Sequence, residues 1–291
     1  MSEDVLVTAD WIEKRLDEFQ SDDDSHRLVE INNPTVTDDS DYTPYEDGHA
    51  PGAVFLDWED DLSDEQTRDI ASKEQFERVN SEAGISEDST VVVYGGGRVP
   101  NWFALFGYWI YKYYGHEDIR VLDGGKGYWV ENDYPLSTDV PDYPETTYEA
   151  RGPFENIRAY KDDIDHAIEE GLPMVDVRSP EEFSGEKIAP EGLMETAQRG
   201  GHIPGASNVP IAETLNEDGT FKSADELREL YEDKADATGE ESTIAYCRVG
   251  ERSSIEWFLM HELLGFEDVQ NYDGSWTEWG NLVGAPIETG E

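Results

Sequence analysis

Short, mainly apolar runs alternate with longer amphipathic stretches along this chain. Leu28–Ile31, Val91–Tyr94, Met174–Val177 and Thr243–Tyr246 are too short for helices and predict buried parallel strands. Between residues 101 and 114, Phe103, Phe106, Ile110 and Tyr113 recur at helical spacing; between 253 and 264, Ile255, Phe258, Leu259 and Leu263 do the same. Ser253, followed three residues later by Glu256, predicts a capping box at the start of that second helix. Strands alternating with helices predict an α/β fold, a parallel sheet covered by helices on both faces.

The pattern occurs twice. Gly48-His49-Ala50-Pro51-Gly52-Ala53 returns as Gly201-His202-Ile203-Pro204-Gly205-Ala206, and Val91–Tyr94 returns as Thr243–Tyr246. Leu122-Asp123-Gly124-Gly125 is echoed by Tyr272-Asp273-Gly274-Ser275, and Leu28–Ile31 by Met174–Val177. Four echoes in one order mark two copies of a single domain, as a length of 291 residues also suggests. The stretch Ser137–Pro144 is polar and carries two prolines, so the expected division is a domain over 1–140, a linker over 141–155 and a second domain over 156–291.

Composition changes the picture in one respect. Hydrophobic residues make up 37% of the chain, enough for packed cores, but the formal net charge is −47. Such a surface repels phosphates, so neither nucleic acid nor an anionic membrane is an expected partner. The carboxylates are spread along the whole chain, and Lys supplies only 8 of the 21 basic residues. Together these predict a protein adapted to molar salt, where self-repulsion is screened to about 3 Å. With no apolar run of membrane-spanning length and no basic, apolar leader at Met1-Ser2-Glu3-Asp4-Val5, a cytoplasmic location is expected.

The six histidines are scattered and the single cysteine, Cys247, allows neither a disulfide nor a Cys-based zinc site, so no metal and no cofactor are expected. Cys247 follows a predicted strand and precedes a helix. In open α/β sheets ligands bind beyond the carboxyl ends of the strands, and a loop entering a helix points N–H groups inward. A thiol there, flanked by Arg248 and Arg252, is expected to drop from about 8.5 into roughly the 3.5–7.5 range of activated cysteines. The competing reading of Cys247 as a small buried hydrophobe accounts for neither the loop nor the arginines. In the first copy the matching segment, Gly95-Gly96-Gly97-Arg98-Val99-Pro100, has no nucleophile. His49 and His202 precede the same turn in both copies and read as structural, and the tryptophans read as packing residues.

The run Cys247-Arg248-Val249-Gly250-Glu251-Arg252-Ser253-Ser254, the paired Gly-His-x-Pro-Gly-Ala segments and Asp176-Val177-Arg178 resemble the tandem-domain rhodaneses, the thiosulfate sulfurtransferases. The resemblance extends through Val29-Glu30, Asp57-Trp58, Asp123-Gly124-Gly125 and Asn156-Ile157-Arg158-Ala159. It implies two rhodanese-like domains, an inactive N-terminal copy, and a catalytic C-terminal copy that forms a persulfide on Cys247. Substrate contacts are expected from Arg178, Arg199 and the loop residues Arg248, Val249, Gly250, Glu251 and Arg252, while Lys187 has no firm assignment. Thiosulfate is the expected donor, with sulfite released, and cyanide or a thiol the acceptor. Rhodanese-like phosphatases have a loop one residue longer than the four residues between Cys247 and Arg252. Relatives that use mercaptopyruvate carry small neutral residues where this chain has Arg248. Mercaptopyruvate as the donor and a non-catalytic sulfur-carrier role stay open as alternatives.

Overall fold

The computed structural model describes residues 5–33, 43–64, 66–97, 99–189 and 197–290. The first sheet contains β1 (Leu6–Val7), β2 (His26–Asn32), β3 (Ala53–Asp57), β4 (Thr90–Tyr94) and β5 (Ile119–Leu122), all parallel, in the spatial order β1-β5-β4-β2-β3. The second contains β6 (Arg158–Ala159), β7 (Met174–Asp176), β8 (Ser207–Asn208), β9 (Thr243–Tyr246) and β10 (Val269–Tyr272), in the matching order β6-β10-β9-β7-β8. Helices flank each sheet, so the central strands are covered on both faces; Val91, Val92, Val93 and Tyr94 have no exposure. The chain divides into two compact units, Glu3–Phe154 with Asn216–Phe221, and Glu155–Leu215 with Lys222–Glu291. Among the described residues no helix is long and apolar enough to cross a membrane.

The duplication reaches individual hydrogen bonds. Tyr94 Oη accepts the Ala50 N–H at 3.1 Å, and Tyr246 Oη accepts the Ile203 N–H at 3.2 Å, so each central-strand tyrosine fixes the Gly-His-x-Pro-Gly-Ala turn of its own copy. His49 stacks on Tyr45 with Nδ1 2.8 Å from the Tyr45 carbonyl, and His202 stacks on Phe183 with Nδ1 2.8 Å from the Phe183 carbonyl. Both imidazoles are turn anchors. Glu30 and Asp176 occupy equivalent registers, opposite Tyr94 and Tyr246. Their counter-ions differ in origin: Lys126, 2.6 Å from Glu30, comes from the helix Gly125–Glu131, whereas Arg178 lies two residues beyond Asp176.

Two helices depart from the sequence expectation. Trp102–Tyr113 buries ten of its twelve residues, more than an amphipathic stripe requires. The helix beginning at Ser253 runs α-helical to Phe258 and continues as a π turn over Leu259–Leu263, closed by the Leu264 N–H to the Leu259 carbonyl. Its capping box does not form. Arg252 occupies the N-cap without a side-chain cap, Ser253 donates to Asn271 Oδ1 with its Oγ also 3.1 Å from the Gly250 carbonyl, and Glu256 is buried beneath the Tyr231 hydroxyl. Burial decides the matter: both side chains sit in the core, where nearer partners outcompete the helix end. Capping boxes do form at Ser179/Glu182 and Ser223/Glu226.

Candidate active site

Cys247 emerges from the carboxyl end of β9 with no solvent exposure. Its sulfur accepts the Gly250 N–H at 3.1 Å. The backbone of the loop is pinned from the segment that follows β10: Cys247 N–H donates to Ser275 Oγ at 3.1 Å, the Cys247 carbonyl accepts the Trp276 N–H at 3.1 Å, and the Arg248 carbonyl accepts the Thr277 N–H at 2.9 Å. Gly250 has φ +90°, and a Cβ there would lie 2.4 Å from the Asp273 Cα, so glycine is demanded by both conformation and contact. Asp273 is itself held by Arg158, with Nη2 2.9 Å from Oδ2.

Arg252 faces Glu182 across two 3.4 Å contacts, and both side chains are largely buried. Burial works against the Arg252 charge, but its electrostatic interactions with Cys247 and with the Glu182 carboxylate outweigh it, so the guanidinium is held charged above its ordinary range. Burial likewise pushes Glu182 up; the Arg252 charge, its hydrogen bonds and the Ser179 N–H prevail and hold it below the usual carboxylate value. A cysteine sulfur, an N–H that points at it and a charged guanidinium therefore share one buried loop.

The first copy lacks this chemistry. Gly95 takes the place of Cys247, its carbonyl accepting the Lys126 N–H at 2.8 Å and its N–H donating to Asn101 Oδ1 at 3.0 Å. A Cβ on Gly95 would lie 2.6 Å from the Ile31 carbonyl oxygen, so a side chain has no room without a backbone shift. Arg98 of this loop lies outside the described residues.

The model of the rhodanese-like domain matches this chain twice, over residues 8–132 and 160–282. The chain belongs to the rhodanese family. A Haloferax volcanii protein named "Putative thiosulfate sulfurtransferase" is 62% identical over 289 residues, covering 99% of this chain and 98% of that protein. The sulfur carrier protein TtuD of Thermus thermophilus is 47% identical over 293 residues, covering 99% and 98%. Among solved structures, the anaerobic ergothioneine biosynthesis enzyme from Chlorobium limicola, in complex with trimethyl histidine, is 27% identical with a TM-score of 0.82, covering 100% of this chain and 71% of that one.

Within this rhodanese the residues singled out in the sequence fall into two groups. Cys247, Arg248, Val249, Gly250, Glu251 and Arg252 form one continuous loop, with Arg248, Val249 and Glu251 buried. The other group is engaged elsewhere. Arg178 is buried against Trp276, with Nε and Nη2 on the Asp176 carboxylate and Nη2 also on the Gly201 carbonyl; Nη1 has no hydrogen-bond partner among the described residues. Asp176 more than offsets the burial that disfavours the Arg178 charge and holds it above the ordinary range. Arg199 donates to the carbonyls of Trp279, Gly280, Leu282 and Ala285, using four of its five N–H groups. Lys187 is exposed.

Sequence reasoning missed Glu182, Ser253, Asn271 and Ser275. The available signal was the contrast between copies rather than their likeness: Ser275 stands where the first copy has Gly125, and Asn271 where it has Val121.

Proposed function

We propose that this rhodanese is a sulfurtransferase that carries sulfane sulfur as a persulfide on Cys247, with thiosulfate as donor. The observation that supports this most is the Gly250 N–H at 3.1 Å from the Cys247 sulfur, in a loop whose counterpart in the first copy has at the cysteine's position a glycine, Gly95, with no room for a side chain. The Cys247 thiolate attacks the outer sulfur of thiosulfate; its electron pair makes the new S–S bond, and the bond to the sulfonate sulfur breaks with its pair to release sulfite. A thiol or cyanide then takes the terminal sulfur and returns the thiolate. Splitting the transfer into two displacements is covalent catalysis, and ping-pong kinetics are its signature. Arg252 and Arg248 supply the positive charge for the sulfonate, and loop N–H groups supply fixed dipoles for the sulfur anion. Arg178 is assigned a supporting role through Asp176, because most of its donors are already engaged.

The Haloferax relative's name agrees with this assignment. The Thermus relative, a sulfur carrier, favours a second reading in which the loaded protein hands sulfur only to a protein partner. Intact-mass measurement after thiosulfate exposure is expected to show one added sulfur on the parent protein and none on Cys247→Ser. A parent that gains no sulfur defeats the thiosulfate assignment. Loading without turnover on cyanide or small thiols selects the carrier reading.

A further inference from the structure

Gly250 is held on three sides. Its N–H meets the Cys247 sulfur, Asp273 fills the space a Cβ on it would need, and its carbonyl lies 3.1 Å from both Asn271 Nδ2, which donates to it, and Ser253 Oγ. The single Ser253 hydroxyl proton goes mainly to Asn271 Oδ1 at 2.6 Å, which orients the amide so that Nδ2 points to Gly250. Asn271 and Ser253 have no exposure.

An asparagine inside a buried strand costs stability unless its polar atoms are satisfied, and an apolar residue is the ordinary occupant. The molecule contains that comparison. Asn271 pairs with Ala245 on β9, and the corresponding residue of the first sheet, Val121, pairs with Val93 on β4. The copy without a cysteine uses valine; the copy with Cys247 uses asparagine. Ser253 is likewise drawn away from its own helix end to complete the pair. The exchange of valine for asparagine is not explained by packing alone, and Asn271 and Ser253 both converge on the residue whose N–H touches the sulfur.

We propose that Asn271, oriented by Ser253, is a positioning residue for sulfur transfer: it fixes the Gly250 carbonyl and so aims the Gly250 N–H at the sulfur carried on Cys247. The inference rests on Cys247 as the nucleophile. Asn271 touches no substrate; it acts through Gly250, in the low-dielectric interior where one fixed donor on a sulfur anion counts most.

The test uses the full chain and two readouts, the rate of Cys247 alkylation by iodoacetamide and steady-state transfer from thiosulfate to cyanide, both in molar KCl. Asn271→Val installs the first copy's own residue, and Ser253→Ala removes only the hydroxyl. Each is expected to slow alkylation and lower kcat about tenfold, the scale of one hydrogen bond, with KM for thiosulfate within about twofold. The double variant is expected to be little worse than either single one, because the pair acts as a unit. Thermal melts are expected to leave Asn271→Val as stable as the parent or more so, separating positioning from support of the fold. Should Asn271→Val fail to fold, Ser253→Ala carries the same readouts. Unchanged alkylation in the folded variants overturns the proposal. Slowed alkylation in a protein that never transfers sulfur from thiosulfate keeps it and refutes the donor assignment instead.

Discussion

Ser275 Oγ lies 3.1 Å from the Cys247 amide nitrogen, and Ser275 reaches that point in a left-handed backbone conformation, φ +53°, that serine rarely adopts. Gly125 occupies the equivalent position of the first copy at φ +58° without penalty. The hydroxyl is the reason for the exception, because it also donates to the Tyr272 carbonyl at 2.6 Å. Ser275→Ala is expected to lose about 1–3 kcal/mol, since it leaves the buried Cys247 N–H unpaired and keeps the strain. Ser275→Gly should recover about 1 kcal/mol of that loss by relieving the strain. Urea midpoints for the pair check the order.

Arg248 directly follows Cys247, and in the proposed mechanism its guanidinium takes the sulfonate. Arg248→Gly is expected to reduce kcat/KM for thiosulfate roughly ten- to hundredfold, the range of a charge-assisted hydrogen bond of about 1.5–3 kcal/mol, and to shift preference toward a carboxylate donor such as mercaptopyruvate. A donor ratio equal to the parent's removes Arg248 from recognition.

Arg199 gathers four carbonyls between Trp279 and Ala285. Arg199→Ala is expected to lower the melting temperature and to speed amide exchange in the C-terminal segment, with KM for thiosulfate changed by less than about twofold. A large rise in KM without loss of stability would support the substrate contact expected from the sequence.

Burial pushes the Glu256 carboxyl up to about 8 against the Tyr231 hydrogen bond, which favours the ionised form. Its folded value exceeds the ordinary 4.5, so its contribution to stability is full below about pH 4.5 and is lost as pH rises through 8. Glu256→Gln keeps a partner for Tyr231 and removes the titration. Melting curves are expected to show the variant more stable than the parent at pH 9, by on the order of a few kcal/mol, and without that advantage at pH 5. Parallel pH profiles would show that Glu256 stays in one protonation state.

The net charge of −47 makes salt a stability variable. Screening contracts from about 10 Å at 0.1 M to about 3 Å at 1 M salt, which confines repulsion to near neighbours. Against a typical margin of about 5–15 kcal/mol, the melting temperature is expected to climb with KCl and activity to fall below about 0.1 M. Partial recovery at low salt on mild acidification would identify carboxylate repulsion as the cause. A melting temperature flat across the KCl series would refute the halophilic reading and leave the site chemistry untouched.

The order of the elements was legible in the chain because it depends on local periodicity. The apolar runs became strands of the parallel sheets, and the repeated Gly-His-x-Pro-Gly-Ala turn became the same anchored turn twice. The placement of Cys247 was legible for a related reason: a cysteine between a strand and a helix is a local arrangement. The partners of that cysteine were not. Ser253 and Glu256 have the spacing of a cap, yet the core takes both, because the Asn271 amide and the Tyr231 hydroxyl reach them only after distant strands and helices pack. Arg178 and Arg199 were recognisable as cations, but only folding shows that Asp176 and a set of carbonyls claim them first. Hydrophobic period and turn chemistry act over a few residues and are written in the chain. Which polar group satisfies which is a competition among groups that can lie more than a hundred residues apart, as Arg158 and Asp273 do at 115, and only the tertiary structure decides it.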